Sequence, residues 1–151
     1  MKQLPSELIV FKRIDKISEF DYPKGIFSIR ELDYKQEVRG VILDVCFSVK
    51  QGYLVITSDD CIYENTIYIQ LLNPQLDIID QVLIGLPYAT GIFKLINIES
   101  TDRIVFEFFK DELYELTLLD KPEFKLPFIS EAQGVFRRFG FQRYFKIITL
   151  C

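Results

Sequence analysis

Short runs of alternating apolar and polar residues constrain the fold of this chain more than any other feature of its sequence. The clearest run covers residues 41–49, where every second residue is apolar, while Asp44, Ser48 and Lys50 mark the opposite face. A period of two matches the alternation of side chains across a β-strand, whereas a helical pattern repeats about every 3.6 residues. Gln51-Gly52 then predicts a turn, so residues 41–57 are predicted to form a hairpin.

The same pattern continues along the chain and is interrupted by turn residues. Further strands are predicted at residues 67–72, 78–84, 92–98, 103–109, 113–119 and 144–150, with Lys121-Pro122 expected to interrupt the pattern. Near the start, residues 8–11 favour a strand, although Pro5-Ser6-Glu7 is also typical of a short helix start. We therefore expect a mainly β fold in a single domain, residues 1–151: an antiparallel meander of about 8–10 short strands forming a curled sheet or sandwich, with little helix.

Three of the predicted strands carry apolar residues on both faces. These strands are residues 78–84, 104–109 and 113–119. A strand of this kind requires cover on both sides, which a second sheet, a strong curl, a helix or a partner protein would provide.

The composition excludes many reaction mechanisms. There is no histidine, and the three cysteines, Cys46, Cys61 and Cys151, lie far apart in sequence. The chain therefore lacks the commonest general base at neutral pH and any four-thiolate metal site. Glycine-rich phosphate loops are also absent. We expect a protein that is not an enzyme and uses no cofactor or metal. A hydrolase that uses carboxylates and a metal at Asp59, Asp60 or Asp77 is an alternative.

The sequence predicts a cytoplasmic protein without membrane association. The first residues mix charged and polar side chains before any long apolar run, unlike a secretory signal. The longest apolar stretches are only a few residues, whereas a spanning helix needs roughly 20. Sparse, unpaired cysteines also favour a reducing compartment.

Charge is distributed unevenly along the chain. Residues 41–120 contain 4 basic and 13 acidic side chains, a net charge of −9, whereas residues 121–151 contain 6 and 2, a net charge of +4. This polarity predicts an acidic surface that binds an electropositive partner. Tyrosines in or next to the acidic region would add anchors to such a surface: Tyr53, Tyr63, Tyr68, Tyr88 and Tyr114. The candidate acidic contacts are Asp59, Asp60, Glu64, Asp77, Asp80, Asp111, Glu112 and Glu115.

The basic segment at residues 137–144 reads Arg-Arg-Phe-Gly-Phe-Gln-Arg-Tyr. It resembles the RNP1 strand of RNA-recognition motif proteins. The resemblance places Phe139 and Phe141 at aromatic positions of the motif, Tyr144 at its last aromatic and Arg137 at its leading basic position.

The resemblance to RNP1 covers eight residues, and two of them depart from the motif. Arg138 stands where the motif has glycine, and Gln142 stands where it has valine. Phosphate contacts depend on charge rather than on a motif, so a nucleic-acid-binding module is an alternative function. Its candidate contacts are Arg137, Arg138, Arg143 and Lys146.

Residues 40–120 are similar in style to the immunity proteins of bacterial polymorphic toxin and contact-dependent growth inhibition systems. The similarity rests on the segments at residues 52–60, 67–72 and 104–109, set in a short acidic chain. It implies a cytosolic protein that binds one cognate toxin domain, often a nuclease, and blocks it. Because nuclease toxins act on polyanions, they are commonly basic, and an acidic surface would complement them. A structural subunit of a bacterial complex is a further alternative.

Overall fold

The described chain folds almost entirely into antiparallel β-strands, as the sequence predicts. The computed structural model describes residues 1–15, 22–61, 63–124, 131–137 and 142–150. One 3-10 helix, Ser6–Leu8, precedes the second strand, so both expectations for this segment hold in part. The strands are β1 Lys2–Gln3, β2 Ile9–Ile14, β3 Lys24–Ile29, β4 Lys35–Arg39, β5 Ile42–Val49, β6 Gly52–Ser58, β7 Ile67–Leu72, β8 Ile78–Ile84, β9 Lys94–Ser100, β10 Arg103–Glu107, β11 Leu113–Phe124, β12 Val135–Arg137 and β13 Gln142–Leu150.

The strands form three antiparallel sheets. The central sheet has the order β1-β5-β6-β7-β8-β12, the four-stranded sheet has the order β13-β11-β10-β9, and the three-stranded sheet has the order β2-β3-β4. Most neighbours are consecutive in sequence, which is the predicted meander. The exceptions are three pairs of strands that are not consecutive in sequence: β1 with β5, β12 with β8, and β13 with β11.

Two apolar cores show that the central sheet lies between the other two. The larger core joins central-sheet residues such as Phe47 and Ile69 to Phe106 and Leu116 of the four-stranded sheet. The smaller core joins residues of the central sheet to Phe27 and others from the three-stranded sheet. Because both of its faces are covered, every residue of β7 is buried. The fold is therefore a layered β-sandwich in which this chain supplies both covers.

A β-bulge corrects the predicted alternation in the first hairpin. The hairpin itself is confirmed, with Val49 paired with Gly52 and Ile42 paired with Ser58. The pairing skips Asp44, however, and the period of two breaks there. Leu43 consequently packs in the smaller core, whereas Val45 lies in the larger core. The prediction that Leu43 and Val45 share a face is wrong, because a bulge adds one residue to one strand.

The proline of β11 does not end the strand. The sequence predicts an interruption at Lys121-Pro122, but β11 continues to Phe124. The pairing of β11 with β13 does skip from Leu118 to Glu123. Proline removes an N–H donor from the ladder without requiring the chain to leave an extended conformation. The segment therefore loses pairing while it keeps its strand geometry.

Candidate functional site

A groove opens at the end of the sandwich where β5 and β7 begin and β6 and β10 end. Its volume is about 660 Å³, and residues of the central and four-stranded sheets and of the adjoining loops line it. We call it the acidic groove. Its lining includes one cation, Lys110, and one exposed thiol, Cys61. The carboxylates are Asp44, Asp59, Asp60 and Glu107, and the apolar side chains are Ile42, Ile92, Phe93 and Phe108.

Hydrogen bonds hold the loops that form the walls of the groove. The side-chain amide of Asn65 donates to the carbonyl oxygen of Gly91 at 2.8 Å, and Ile92 N donates to Phe108 O at 3.0 Å. On the rim, Tyr88 N donates to a carboxylate oxygen of Glu64 at 2.7 Å. These bonds join the loop after β6 to the segment before β9. The described walls of the groove are therefore joined to one another by hydrogen bonds.

Asp44 occupies the bulge of β5 and is one of the groove-lining residues. Ser58 hydrogen-bonds its side chain, yet Asp44 Oδ2 is buried and accepts no hydrogen bond. Burial raises the pKa of the Asp44 carboxyl to about 6, although the bond to Ser58 acts in the opposite direction. A buried carboxylate oxygen without a hydrogen bond is costly to the folded state.

The two aspartates that follow β6 differ in their surroundings. Asp59 Oδ2 accepts a hydrogen bond from the hydroxyl of Tyr68 at 3.1 Å. Burial and the nearby Asp59 carboxylate raise the pKa of Tyr68. Asp60 is exposed and lies 3.6 Å from Arg13, an ion pair that solvent screens strongly. The Asp60 side chain is therefore accessible to a partner protein, whereas the Asp59 side chain also holds the hydroxyl of Tyr68.

Exposed apolar side chains surround the mouth of the groove. Ile92 lines the groove and is 80% exposed. Tyr88 is 94% exposed, and its backbone N–H donates to Glu64 on the rim. Tyr63, which precedes Glu64 in the chain, is 83% exposed. Tyr68 and Tyr114 are instead buried in the fold. Large exposed apolar groups beside carboxylates are typical of a protein-binding surface. Tyr53 is partly buried and packs against the smaller core, so the predicted tyrosine surface reduces to Tyr63 and Tyr88.

The eight predicted acidic contacts do not form one face. Asp59 and Asp60 line the acidic groove, Glu64 lies on its rim, and Asp111 and Glu112 follow Lys110 in the adjacent turn. The other three lie elsewhere. Asp77 is in the turn after β7, at the far end of that strand, Glu115 pairs with Arg103 on β10, and Asp80 is buried.

Asp80 and Arg137, predicted for opposite functions, bind each other in the interior. Arg137 Nη1 lies 2.5 Å from Asp80 Oδ2, and Arg137 Nε lies 2.8 Å from Glu131 Oε1. The three side chains are only 7%, 4% and 8% exposed. Arg137 also donates to the carbonyl oxygen of Phe145 and packs against its ring. This cluster links β8 and β12 of the central sheet to β13, and it removes both residues from the surface.

The remaining predicted nucleic-acid contacts are also paired where they are described. Arg143 and Lys146 both contact Glu123, at 2.9 and 3.1 Å. Hydrogen bonds from Arg143 and Lys146, together with the positive charges of these two side chains, lower the pKa of Glu123. Arg138, like Phe139 and Phe141, lies outside the described residues. The described candidate cations of this segment therefore form ion pairs with carboxylates of the same chain.

Sequence reasoning missed Asp44, Glu107 and Ile92 as groove residues. Asp44 and Glu107 resemble the ordinary polar residues of alternating strands, and Ile92 resembles the first residue of a strand that in fact begins at Lys94. The only sequence signal is at Asp44, a carboxylate flanked by apolar residues just before residues 45–47, the buried centre of β5. A bulge places it in the groove, and no local pattern specifies a bulge.

Among the described residues, no group of three or more carboxylates and thiols is placed to hold a metal ion. Nor does that part of the chain contain a helix long and apolar enough to cross a membrane. Comparisons with protein-family models, curated proteins and solved structures found no significant match to this chain.

Proposed function

We propose that this chain is a non-enzymatic binding protein of the cytoplasm, an immunity protein that binds a basic toxin domain and neutralises it. The observation that carries the proposal is the acidic groove, whose lining combines carboxylates with apolar side chains. The toxin would be a nuclease-type domain, because proteins that act on nucleic acids carry basic surfaces.

The composition of the groove supports a cationic protein as the partner. Its lining contains the carboxylates Asp59, Asp60 and Glu107 beside Asp44, and one cation, Lys110. Such a surface attracts a basic domain over the Debye length and accelerates its association. The apolar side chains, above all Ile92, then provide area that is buried on contact, which is where most binding energy arises. Tyr63 and Tyr88 extend this area beyond the groove.

The same groove disfavours the nucleic-acid alternative. Carboxylates repel phosphates, and a nucleic-acid site requires cations that are free to contact them. Arg137 is buried in its carboxylate pairings, and Arg143 and Lys146 share Glu123. A protein partner therefore agrees better with the described charges.

Charge reversal in the groove tests the proposal. Tagged wild-type protein, an Asp60→Lys variant and an Asp120→Lys variant would be used to capture partners from the native bacterial lysate, at low salt and at about 0.5 M salt. Asp60 lies in the groove, whereas Asp120 is an exposed residue near Lys50 at the far end of the sandwich. Both variants change the net charge equally.

We expect a basic protein that binds the wild type and Asp120→Lys at both salt concentrations and is lost, or at least tenfold weaker, with Asp60→Lys. The recovered protein should be toxic when expressed alone, and co-expression of the wild type should relieve the toxicity. Recovery of nucleic acid alone, released by salt, would overturn the proposal. Equal binding by both variants would show that the acidic groove is not the contact surface.

A further inference from the structure

We propose that the open edge of β4 binds an extended, acidic peptide strand of a partner protein, which continues the three-stranded sheet above β8 and β12. The site is the edge of β4 together with a cavity of about 420 Å³ between β4, β8 and β12, which we call the edge slot. Among the described residues, the edge slot and the acidic groove share no lining residue, so the inference does not rest on the proposed function. The lining of the edge slot includes Gln36, Glu37, Arg39, Gln81, Leu83 and Phe136.

Alternate residues of β4 direct their backbone groups away from β3. In an antiparallel ladder, every second residue bonds to the neighbouring strand, and the residues between them face the other side. Gly40 N donates to Pro23 O at 2.8 Å, which places the bonds to β3 at the even-numbered residues of this segment. In agreement, Arg39 N donates to a side chain of the central sheet at 2.8 Å. The N–H and C=O groups of Lys35 and Glu37 therefore face the open edge.

The edge of β4 is unpaired in the part of the chain that the structure describes, because the order of its sheet is β2-β3-β4. The carbonyl oxygen of Glu37 accepts from the side-chain amide of the adjacent Gln36 at 2.9 Å, a bond that an added strand would replace. Backbone donors and acceptors in a row are a template for strand addition. The edge therefore selects an extended peptide rather than a compact ligand.

The central sheet extends beyond β4 and leaves an apolar strip uncovered. Tyr68 on β7, Leu83 on β8 and Phe136 on β12 are paired across the sheet, so their side chains share one face. Tyr68 is 6% exposed, whereas Phe136, two strands further along the sheet, is 55% exposed. The cover from the three-stranded sheet therefore ends between β7 and β12. A strand added to β4 would lie above Leu83 and Phe136 and would bury them.

A single extended segment fits the edge slot better than a second copy of this chain. Arg39 is bonded to Gln70 and Thr57, so β7 and β6 are attached to β4. Two copies paired along β4 would bring two central sheets into one layer, where β8 and β12 of each copy already extend past β4. A peptide strand has no second layer and avoids this overlap.

The side chains along β4 specify the sequence pattern of the peptide. Lys35, Glu37 and Arg39 lie on the outer face in the order positive, negative, positive, whereas Gln36 and Val38 lie between them on the inner face. Opposite charges directly across two strands stabilise the pair, and like charges destabilise it. We therefore expect acidic residues opposite Lys35 and Arg39 and a neutral residue opposite Glu37. Apolar residues between them would face the apolar strip.

A short peptide tests the edge without any knowledge of the partner. The probe is acetyl-Thr-Asp-Val-Thr-Val-Asp-Thr-amide, which has this pattern. One comparison peptide has lysine in place of both aspartates, and another is methylated on the backbone nitrogen of its central threonine. Chemical shifts and hydrogen exchange of the Lys35 and Glu37 amides would be followed by NMR. The variants are Phe136→Ser, with the half-exposed Ile148→Ser as its control, and Lys35→Glu, with the exposed Lys50→Glu as its control.

We expect the acidic peptide to bind with a Kd on the order of 1 mM and to slow exchange at the Lys35 and Glu37 amides. Phe136→Ser and Lys35→Glu should each weaken binding about fivefold, because one loses buried apolar area and the other reverses a cross-strand charge pair. Ile148→Ser and Lys50→Glu should bind like the wild type. Neither the lysine peptide nor the N-methylated peptide should bind measurably.

The inference is overturned if the acidic peptide leaves both amides of the wild type unchanged, or if the lysine or N-methylated peptide binds equally well. A wild-type dimer in sedimentation experiments that itself slows exchange at these amides would assign the edge to a second copy, and this too overturns the inference. The wild-type titration requires no variant, so misfolding of Phe136→Ser would not decide the matter. Asp60→Lys changes a residue outside the edge slot, so this inference and the proposed function can fail independently.

Discussion

Arg137 and Asp80 are 57 positions apart in sequence, yet their side chains meet at 2.5 Å between two sheets. Asp80 Oδ2 also accepts from the backbone N–H of Tyr144 at 2.8 Å, and Asp80 Oδ1 accepts from the N–H of Gln81. With Glu131 on the other side of the guanidinium, the cluster joins β8, β12 and β13. A charged cluster in this position specifies how the central and four-stranded sheets are placed against each other, provided that all its members are present.

Replacing the buried arginine should be far more damaging than replacing an exposed one. Arg137→Met removes the buried cation that contacts Asp80 and Glu131, and we expect the free energy of unfolding to fall by about 3–5 kcal/mol. Arg143→Met removes a solvent-screened ion pair with Glu123 and should lower the free energy of unfolding far less. Urea unfolding followed by circular dichroism measures both values. Equal losses would show that the buried cluster does not stabilise the fold.

A buried glutamine should stabilise the contact between the central and three-stranded sheets. Gln70 Oε1 accepts from the N–H of Arg39 at 2.8 Å, and Gln70 Nε2 donates to Thr57 Oγ1 at 3.2 Å. We expect Gln70→Leu to lower the free energy of unfolding by about 1–3 kcal/mol, because the N–H of Arg39 loses its acceptor. Amide hydrogen exchange should accelerate at Arg39 in particular. Gln75→Leu, in an exposed turn, is the control, and unchanged exchange at Arg39 would contradict the prediction.

Removal of the Asp44 charge should stabilise the protein at neutral pH. The pKa of about 6 in the folded state lies above the ordinary value of 3.8, so the folded protein favours the protonated form. Stability from this group is complete below about pH 3.8 and is lost as the pH rises through 6. Asp44→Asn cannot ionise, so its free energy of unfolding should exceed that of the wild type by about 1–2 kcal/mol at pH 8, after allowance for solvent screening.

The advantage of Asp44→Asn should vanish near pH 4. Thermal unfolding of both proteins from pH 4 to pH 8 measures it, with Asp120→Asn as the control that shows no such trend. A constant difference over this range would mean that the effect comes from packing and not from ionisation.

A methyl group at Gly91 should displace one wall of the acidic groove. A Cβ at this position would lie 2.5 Å from the carbonyl oxygen of Phe108, which also accepts from the N–H of Ile92. We expect Gly91→Ala to destabilise the protein by about 1–3 kcal/mol, as measured by urea unfolding. Thr90→Ala, at the exposed neighbouring position, should not. Wild-type stability of Gly91→Ala would show that this wall moves without cost.

Local patterns predicted the elements whose partners are close in sequence. The hairpin of β5 and β6 and the hairpin of β10 and β11 follow from alternating residues around short polar turns. The strands at residues 67–72 and 78–84 have the predicted bounds. The pairing of β13 with β11 was not predicted, because the long connection between them carries no signal of where the chain returns.

The candidate site was predictable only in part. Asp59, Asp60 and Glu64 lie at the groove because acidic residues after a strand occupy its exposed end. Asp80 follows a turn in the same way, but its side chain points into the sandwich and meets Arg137. Sequence spacing gives the face of a strand on which a carboxylate lies; it does not reveal what the opposite sheet places against that face.

The sequence by itself determined that this chain forms antiparallel β-strands with an acidic middle region and no histidine chemistry, because periodicity and composition are local properties. Only the tertiary structure decided that the central sheet is covered on both faces by this same chain. It also decided that Asp80 and Arg137 neutralise each other in the interior, while the bulge at Asp44 leaves a buried carboxylate oxygen unsatisfied at the open end of the sandwich. Those outcomes depend on which strands meet across long separations in sequence, and on small irregularities in pairing that local patterns do not encode.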